Sequence, residues 1–338
     1  MADSVAAFTG LGPEEAANFL EMAGGNVEAA VALFFDMQGG GGGGAFGGDA
    51  GNAAVPGTPA SPVHAVLFGS ATAPSSWVDQ GFEFCADSQS RCCLIQHKNG
   101  PCGVLAVVNA EVLALMGRPL PSASVDDGVL CAAFGAILWR CATAGQITLA
   151  RWAESPGGDV VGEEPFVADG PAAVAARLLP VLPSWKQRGG CCLLCYSAVL
   201  TRGIDKVKTD VALDAGSPPL VVGPHSLCST ELMTLLMAGV ARGNVGAYSM
   251  AGGKVDWRTA GSVGLLSRDE LEGMPLADAL KSPSSPVYVL HGGDHFTVCC
   301  ELHSLHSLPS QPSFTAFPSL PASRIPPSRP PRRPPGCR

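Results

Sequence analysis

The sequence predicts an α+β domain whose buried central helix opens on a cysteine and whose β-hairpin carries a histidine, preceded by a small all-helical unit. Three observations carry this reading. Gly100-Pro101-Cys102-Gly103 runs straight into the apolar stretch Val104 to Met116. Two runs rich in β-branched and aromatic residues, Val287 to Leu290 and Phe296 to Cys300, flank a turn containing Gly292 and Gly293. Residues 4–37 have short helical patterns and stop at a glycine tract, so they stand apart from the rest of the chain.

In the leading unit, Val5, Ala6 and Phe8 begin a first short helix that ends near Gly10. Pro13 suits the first turn of a second helix bearing Ala16, Ala17, Phe19, Leu20 and Ala23, because a missing N–H is no loss there. Gly24-Gly25 ends it, and Asn26 is placed to cap a third helix with Val27, Ala30, Val31, Leu33 and Phe34. Residues 1–37 therefore read as a three-helix unit. Residues 38–62 begin with Gly39 to Gly44 and continue in Gly, Ala, Pro and Ser, the composition of a disordered linker.

Residues 63–302 read as the main domain. Val63 to Phe68 is predicted as a short apolar strand, followed by Trp77 to Phe84 and the central helix. Val129 to Ala142 makes a second apolar helix; Cys191 to Leu200 and Val207 to Leu213 are expected as strands. Ser229 to Ala241 is expected as a helix capped by Ser229, with Leu232, Leu235, Leu236 and Val240 on its apolar face. The hairpin at 287–301 closes the domain. Residues 303–338 turn to Ser, Pro and Arg and read as a disordered tail. Its end, from Ile325 to Pro335, suits polyproline II and an SH3-type partner.

The chemistry concentrates in three residues. Cys102 falls at a helix N-terminus, where the partial positive charge of the helix end favours the thiolate. His295 opens the second strand of the hairpin, at a sheet rim where an imidazole can serve both a thiol and a substrate. Gln96, six residues before Cys102, offers an uncharged amide donor for a developing oxyanion. The alternatives for the cysteine and the histidine are ordinary: a core cysteine and a hydrogen-bonded rim histidine. An orienting partner for His295 stays open among Asp294 on the opposite strand face, Thr297 on the same face and the distant Glu301.

Composition narrows the classes. The formal net charge is −8 over 338 residues, and Arg324, Arg329, Arg332, Arg333 and Arg338 lie in the tail, so the body is more acidic still. That argues against nucleic acid as partner. Val129 to Trp139 is far shorter than the roughly 20 apolar residues of a membrane span, and no secretory leader is legible. Thirteen cysteines then read as reduced thiols of a cytoplasmic or nuclear protein. Cys192-Leu193-Leu194-Cys195 has the spacing of half a zinc knuckle but lacks a second pair, so no metal or other cofactor is predicted. His225 and His291 are expected to be structural or solvent-exposed.

With these residues in hand, the leading unit resembles the UBA-like domain, a ubiquitin-binding module, on Phe8-Thr9-Gly10, Ala17-Asn18-Phe19-Leu20 and Ala23 to Val31. The main domain resembles the MINDY family of cysteine deubiquitinases, in the branch with a GPCGVLA-type motif. The matching blocks run in the family's order: Trp77 to Phe84, Gln96, Gly100 to Ala106, Leu130 to Arg140, His225 to Leu232, Gly243-Asn244-Val245, Val263 to Leu266 and Asp294 to Val298.

The resemblance implies a papain-like cysteine-hydrolase-type arrangement, with Cys102 as nucleophile, His295 as general base and acid, and Gln96 as oxyanion donor. It also implies ubiquitin and polyubiquitin as partners and a preference for lysine forty-eight-linked chains. Members of the family continue past the histidine strand into further core strands, whereas Leu302 here leads into the tail. An inactive ubiquitin-binding adaptor with the same fold is the competing expectation.

Overall fold

The computed structural model describes residues 12–22, 30, 61–69, 72–86, 92–117, 125–152, 161–223, 225–250, 252–257, 261–293 and 295–300. The chain divides into two compact units, Met1–Thr58 and Pro59–Arg338. In the first, helix α1 spans Pro13–Met22, as the proline start predicts, and Ala16 is buried. Of the expected third helix only Ala30, helical and buried, is described; the expected first helix, the glycine linker up to Ala60 and the tail lie outside the described residues.

The second unit mixes helix and strand, and more of it is helical than the sequence suggests. Pro62–Phe68 is a helix, α2, and not a strand; Pro62 sits in its first turn and Gly69 closes it. A short helix, α3, follows at Ser75–Val78. The central helix, α4, spans Cys102–Met116, with buried residues on nearly every face through Leu113. Asp127–Cys141 forms α5, whose first turn is capped by Asp126 accepting from the Val129 N–H. Strands β1 (Gln146–Trp152) and β2 (Val161–Val167) pair antiparallel. Helices α6 (Pro171–Leu178) and α7 (Leu182–Lys186) lead to α8, Gly190–Arg202, and then to α9, Ile204–Ala212.

The last two helices overturn the expected strands at 191–200 and 207–213. In α8 every residue from Gly190 to Val199 is buried, so the run carries no polar face to betray a helical period. Ser197 and Thr201 on this helix supply what a partner strand would have supplied. Their hydroxyls accept the Ala150 and Thr148 N–H groups at 2.8 and 3.0 Å, satisfying the free edge of β1. In α9, Val207 and Val211 face the core four residues apart, and the half-buried Arg202–Asp210 ion pair at 2.8 Å ties α9 back to α8.

The remaining elements build the wall that faces α4. Strands β3 (Val221–Val222) and β4 (Leu227–Cys228) form a small hairpin, and α10 spans Thr230–Ala238 with Ser229 capping the Leu232 N–H. Gly239 ends α10 in a left-handed turn (φ 72°), where a Cβ would overlap the Arg140 carbonyl oxygen. A three-stranded sheet follows, ordered β5 (Gly264–Ser267), β6 (Val287–His291) and β7 (Phe296–Cys300). Between β5 and β6 lie a 3-10 turn at Arg268–Glu272 and α11 at Asp278–Lys281. β5 and β6 are parallel; β6 and β7 form the predicted antiparallel hairpin. The buried carboxylate of Glu111 on α4 takes Arg140 of α5 at 2.7 Å and the Ser262 hydroxyl at 2.6 Å, which pins α4, α5 and the approach to β5 together.

Candidate active site

The backbone just before Cys102 is held in one shape. Gly100 has φ +124°, a region glycine favours, and a Cβ there would lie 2.9 Å from both the Ser226 carbonyl oxygen and the Trp77 ring nitrogen. The Trp77 indole N–H donates to Ser226 O at 2.7 Å, and the Cys228 N–H donates to Gly100 O at 3.0 Å. Pro101 then occupies the N-cap position, and Cys102 is the first residue of α4. The sequence expectation for the position of this cysteine is met.

The segment carrying Gln96 is anchored on both sides. An antiparallel bridge pairs Phe84 with Leu94, and the Ile95 N–H donates to Glu83 O at 2.8 Å. Asn109, on α4, accepts the Leu94 N–H at 3.2 Å. The side chain of Gln80 accepts the His97 N–H at 3.1 Å and donates to Ile95 O at 2.9 Å. At the outer edge, the Asp79 carboxylate takes Arg188 at 2.8 Å and Lys98 at 3.1 Å, and these two cations, Arg188 first, hold its carboxyl below the usual range. The Gln96 amide donates one N–H to Lys98 O at 2.8 Å.

The histidine arrives from the other side. His295 is exposed and immediately precedes β7, one residue outside the strand the sequence placed it in. Its carbonyl accepts the Gly292 N–H at 2.9 Å, closing the turn. His291 braces that turn: its Nε2 lies 2.6 Å from Gly293 O and its Nδ1 lies 3.3 Å from the Ser267 hydroxyl. The His291 ring stacks on Phe296 with centroids 4.5 Å apart. His291 is thus structural. Asp294 and Glu301 lie outside the described residues, so neither enters the geometry.

Gly103 lets the two halves meet. A Cβ at that position would stand 2.6 Å from Cys228 Sγ and 3.1 Å from the Phe296 ring. Only a residue without a side chain allows β7 to press this close to the first turn of α4. The outcome is a cavity of about 230 Å³ lined by Gln96, Cys102, Asn109, His295, Thr297 and apolar neighbours. Three residues separated by up to nearly two hundred positions in the chain line one cavity.

Cys102 and its neighbour Cys228 are both buried. Burial first, then the nearby Cys102, holds the Cys228 thiol well above the ordinary cysteine value. The half-knuckle spacing at Cys192 and Cys195 falls inside α8, with both residues fully buried. Among the described residues no group of three or more His, Cys, Asp or Glu is arranged to hold a metal ion.

Sequence reasoning missed Asn109 and Gln80. Asn109 is an amide inside a largely apolar helical run, and a polar side chain in such company must find partners; Gln80, beside Asp79 and Gly81, carries no such signal.

A family model described as "Deubiquitinating enzyme MINDY-3/4, conserved domain" matches residues 64–156 and 178–309. A second, described as "UBA-like domain", matches residues 3–41. Among curated relatives, the probable ubiquitin carboxyl-terminal hydrolase MINDY-4 of Xenopus tropicalis is 31% identical over 268 residues, covering 69% of this chain and 35% of that protein. Its Homo sapiens counterpart is 24% identical over 278 residues, covering 72% of this chain and 36% of that protein. The ubiquitin carboxyl-terminal hydrolase MINDY-3 of Homo sapiens is 27% identical over 267 residues, covering 65% of this chain and 58% of that protein. The chain spans about a third of the length of the MINDY-4 relatives it matches. No solved structure matches it. The MINDY-3/4 model spans well over half of the chain, from α2 through β7, and takes in Gln96, Cys102 and His295; the chain therefore belongs to the MINDY-3/4 family of deubiquitinating enzymes.

Proposed function

We propose that this chain is a thiol-dependent deubiquitinase that hydrolyses isopeptide bonds in polyubiquitin, with Cys102 as nucleophile, His295 as general base and acid, and Gln96 as oxyanion donor. The observation that carries the reading is the single cavity lined by all three residues. In this mechanism His295 takes the Cys102 proton, and the thiolate, favoured by the start of α4, attacks the isopeptide carbonyl. The carbonyl π electrons move onto oxygen, where the Gln96 N–H and a backbone N–H at the helix start meet the charge. Collapse expels the lysine amine, which takes its proton from His295. A thioester remains. His295 then deprotonates water, which attacks the thioester and releases the ubiquitin carboxylate and the free thiol.

A cysteine on a buried central helix and a histidine at a sheet rim, lining one cavity, support a papain-like plan. The family relation supports ubiquitin chains as substrate and a preference for the lysine forty-eight linkage. The UBA-like segment supports a second ubiquitin contact, whose effect is to raise the local concentration of chain at the catalytic domain.

The test is cleavage of long lysine forty-eight-linked polyubiquitin by residues 1–338 beside Cys102→Ala. Cleavage that disappears in the variant supports the reading. Chain binding without cleavage by either form rejects it in favour of an inactive ubiquitin-binding relative.

A further inference from the structure

Gln80 is fully buried, and a buried primary amide is costly unless both its N–H protons and its oxygen are satisfied. Here all three are. Nε2 donates to Gly81 O at 2.7 Å and to Ile95 O at 2.9 Å, while Oε1 accepts the His97 N–H at 3.1 Å. The partners are two carbonyls and one N–H, so the network itself assigns which end is nitrogen. Two of these bonds fall on the peptide units immediately before and after Gln96. They fix both peptide planes that flank it, and with them the direction of its Cα–Cβ bond into the cavity. Gly81 keeps Gln80 close to the α7–α8 connection, since a Cβ on Gly81 would overlap the Gln187 and Lys186 carbonyl oxygens.

From this geometry we propose that Gln80 is a positioning residue for the oxyanion donor: it acts through Gln96 and sets the rate of the chemical step without contributing to substrate binding. The proposal rests on the function proposed above, and the test separates the two. An acidic side chain cannot substitute when ionised, because its oxygens would face two carbonyl oxygens. An apolar one of similar length fills the space but holds neither peptide plane.

The experiment measures kcat and KM for cleavage of lysine forty-eight-linked tetraubiquitin by the full chain, Gln80→Met, Gln96→Ala and the double variant. Thermal unfolding confirms that each is folded. Gln80→Met is expected to lower kcat about 10²-fold, the cost typical of misplacing one catalytic group, with little change in KM. In the Gln96→Ala background the same change is expected to cost little more, because its effect has already been lost. An equal loss in both backgrounds, or a loss confined to KM, makes Gln80 merely structural and overturns the proposal.

Gln80→Glu adds an independent reading. Its protonated carboxyl recovers one donor, so its kcat relative to wild type is expected to rise as pH falls; a flat ratio also overturns the proposal. If neither variant folds, Gln80 is a structural residue and the proposal fails. Absence of cleavage by the wild-type chain sinks the proposed function itself, before Gln80 comes into question.

Discussion

Helices α4 and α8 make an instructive pair. Both are apolar almost all round, both are buried and both carry cysteine, α8 three times and α4 once. In α8 all three cysteines are fully buried, Cys191 and Cys192 already in the first turn, and burial holds the thiols of these two well above the ordinary value. In α4 the cysteine is the first helical residue and opens onto a cavity shared with an imidazole and two amides. Neither the number of cysteines, their spacing nor a place at a helix start sets Cys102 apart; what the fold brings opposite it does.

The contrast can be broken most directly at the starts of the two helices. Cys102→Ala is expected to abolish chain cleavage, a fall of at least about 10⁴-fold in kcat, with thermal stability nearly unchanged. The assay is polyubiquitin cleavage beside an unfolding curve. On α8 the expected loss is one of stability. Gly190→Ala would overlap the Trp185 carbonyl oxygen, a backbone atom that cannot easily move, so a loss of about 3 kcal/mol is expected in urea unfolding.

Gly103→Ala sharpens the comparison because it moves one wall of the cavity without touching a reacting group. The added methyl meets Cys228 Sγ and the Phe296 ring, so those side chains must shift, and Phe296 adjoins His295 in the chain. Activity is expected to fall about 10²-fold while stability drops by about 1–3 kcal/mol, measured by the same two assays. Cys192→Ala is milder. It should cost about 1–2 kcal/mol of stability, the scale of a small core cavity, and leave kcat alone.

The buried thiols also set an alkaline limit. Cys141 is pushed up to about 12 from its ordinary value of 9.0, burial being the cause. Between those two values the unfolded thiol ionises while the native one stays protonated. The unfolded state therefore binds fewer protons, and stability falls as pH rises from about 9 towards 12. Urea midpoints taken across that range should decline, and a flat profile would contradict the assignment.

Much of the site was legible before any coordinates. Gly100-Pro101-Cys102 announced a helix start, the Val287 to Cys300 pattern announced a hairpin, and Ser229 announced its cap; each signal is local, a matter of one turn or one pair of strands. The misreading at Cys191 to Leu200 comes from burial: a segment buried on nearly all sides shows no alternation between polar and apolar, so neither helical nor strand period survives in it. At Val63 to Phe68 the exposed face is a single alanine, Ala65, which carries no polar signal either. Val207 to Leu213 failed differently, because its valines four residues apart also fit a strand when read two by two.

The sequence by itself determined the kinds of groups available and the local geometry around each. It placed a cysteine at a helix start, a histidine at the start of a strand and an amide six residues upstream of the cysteine. Only the tertiary structure decided that these share one cavity, because that depends on close approaches no local pattern encodes. Gly103 yields the space for Phe296, and Gln80 and Asn109 bind the backbone around Gln96 from either side of it in the chain. Propensity acts over a few residues, whereas packing and buried hydrogen bonds are settled by whichever segments the whole fold sets side by side.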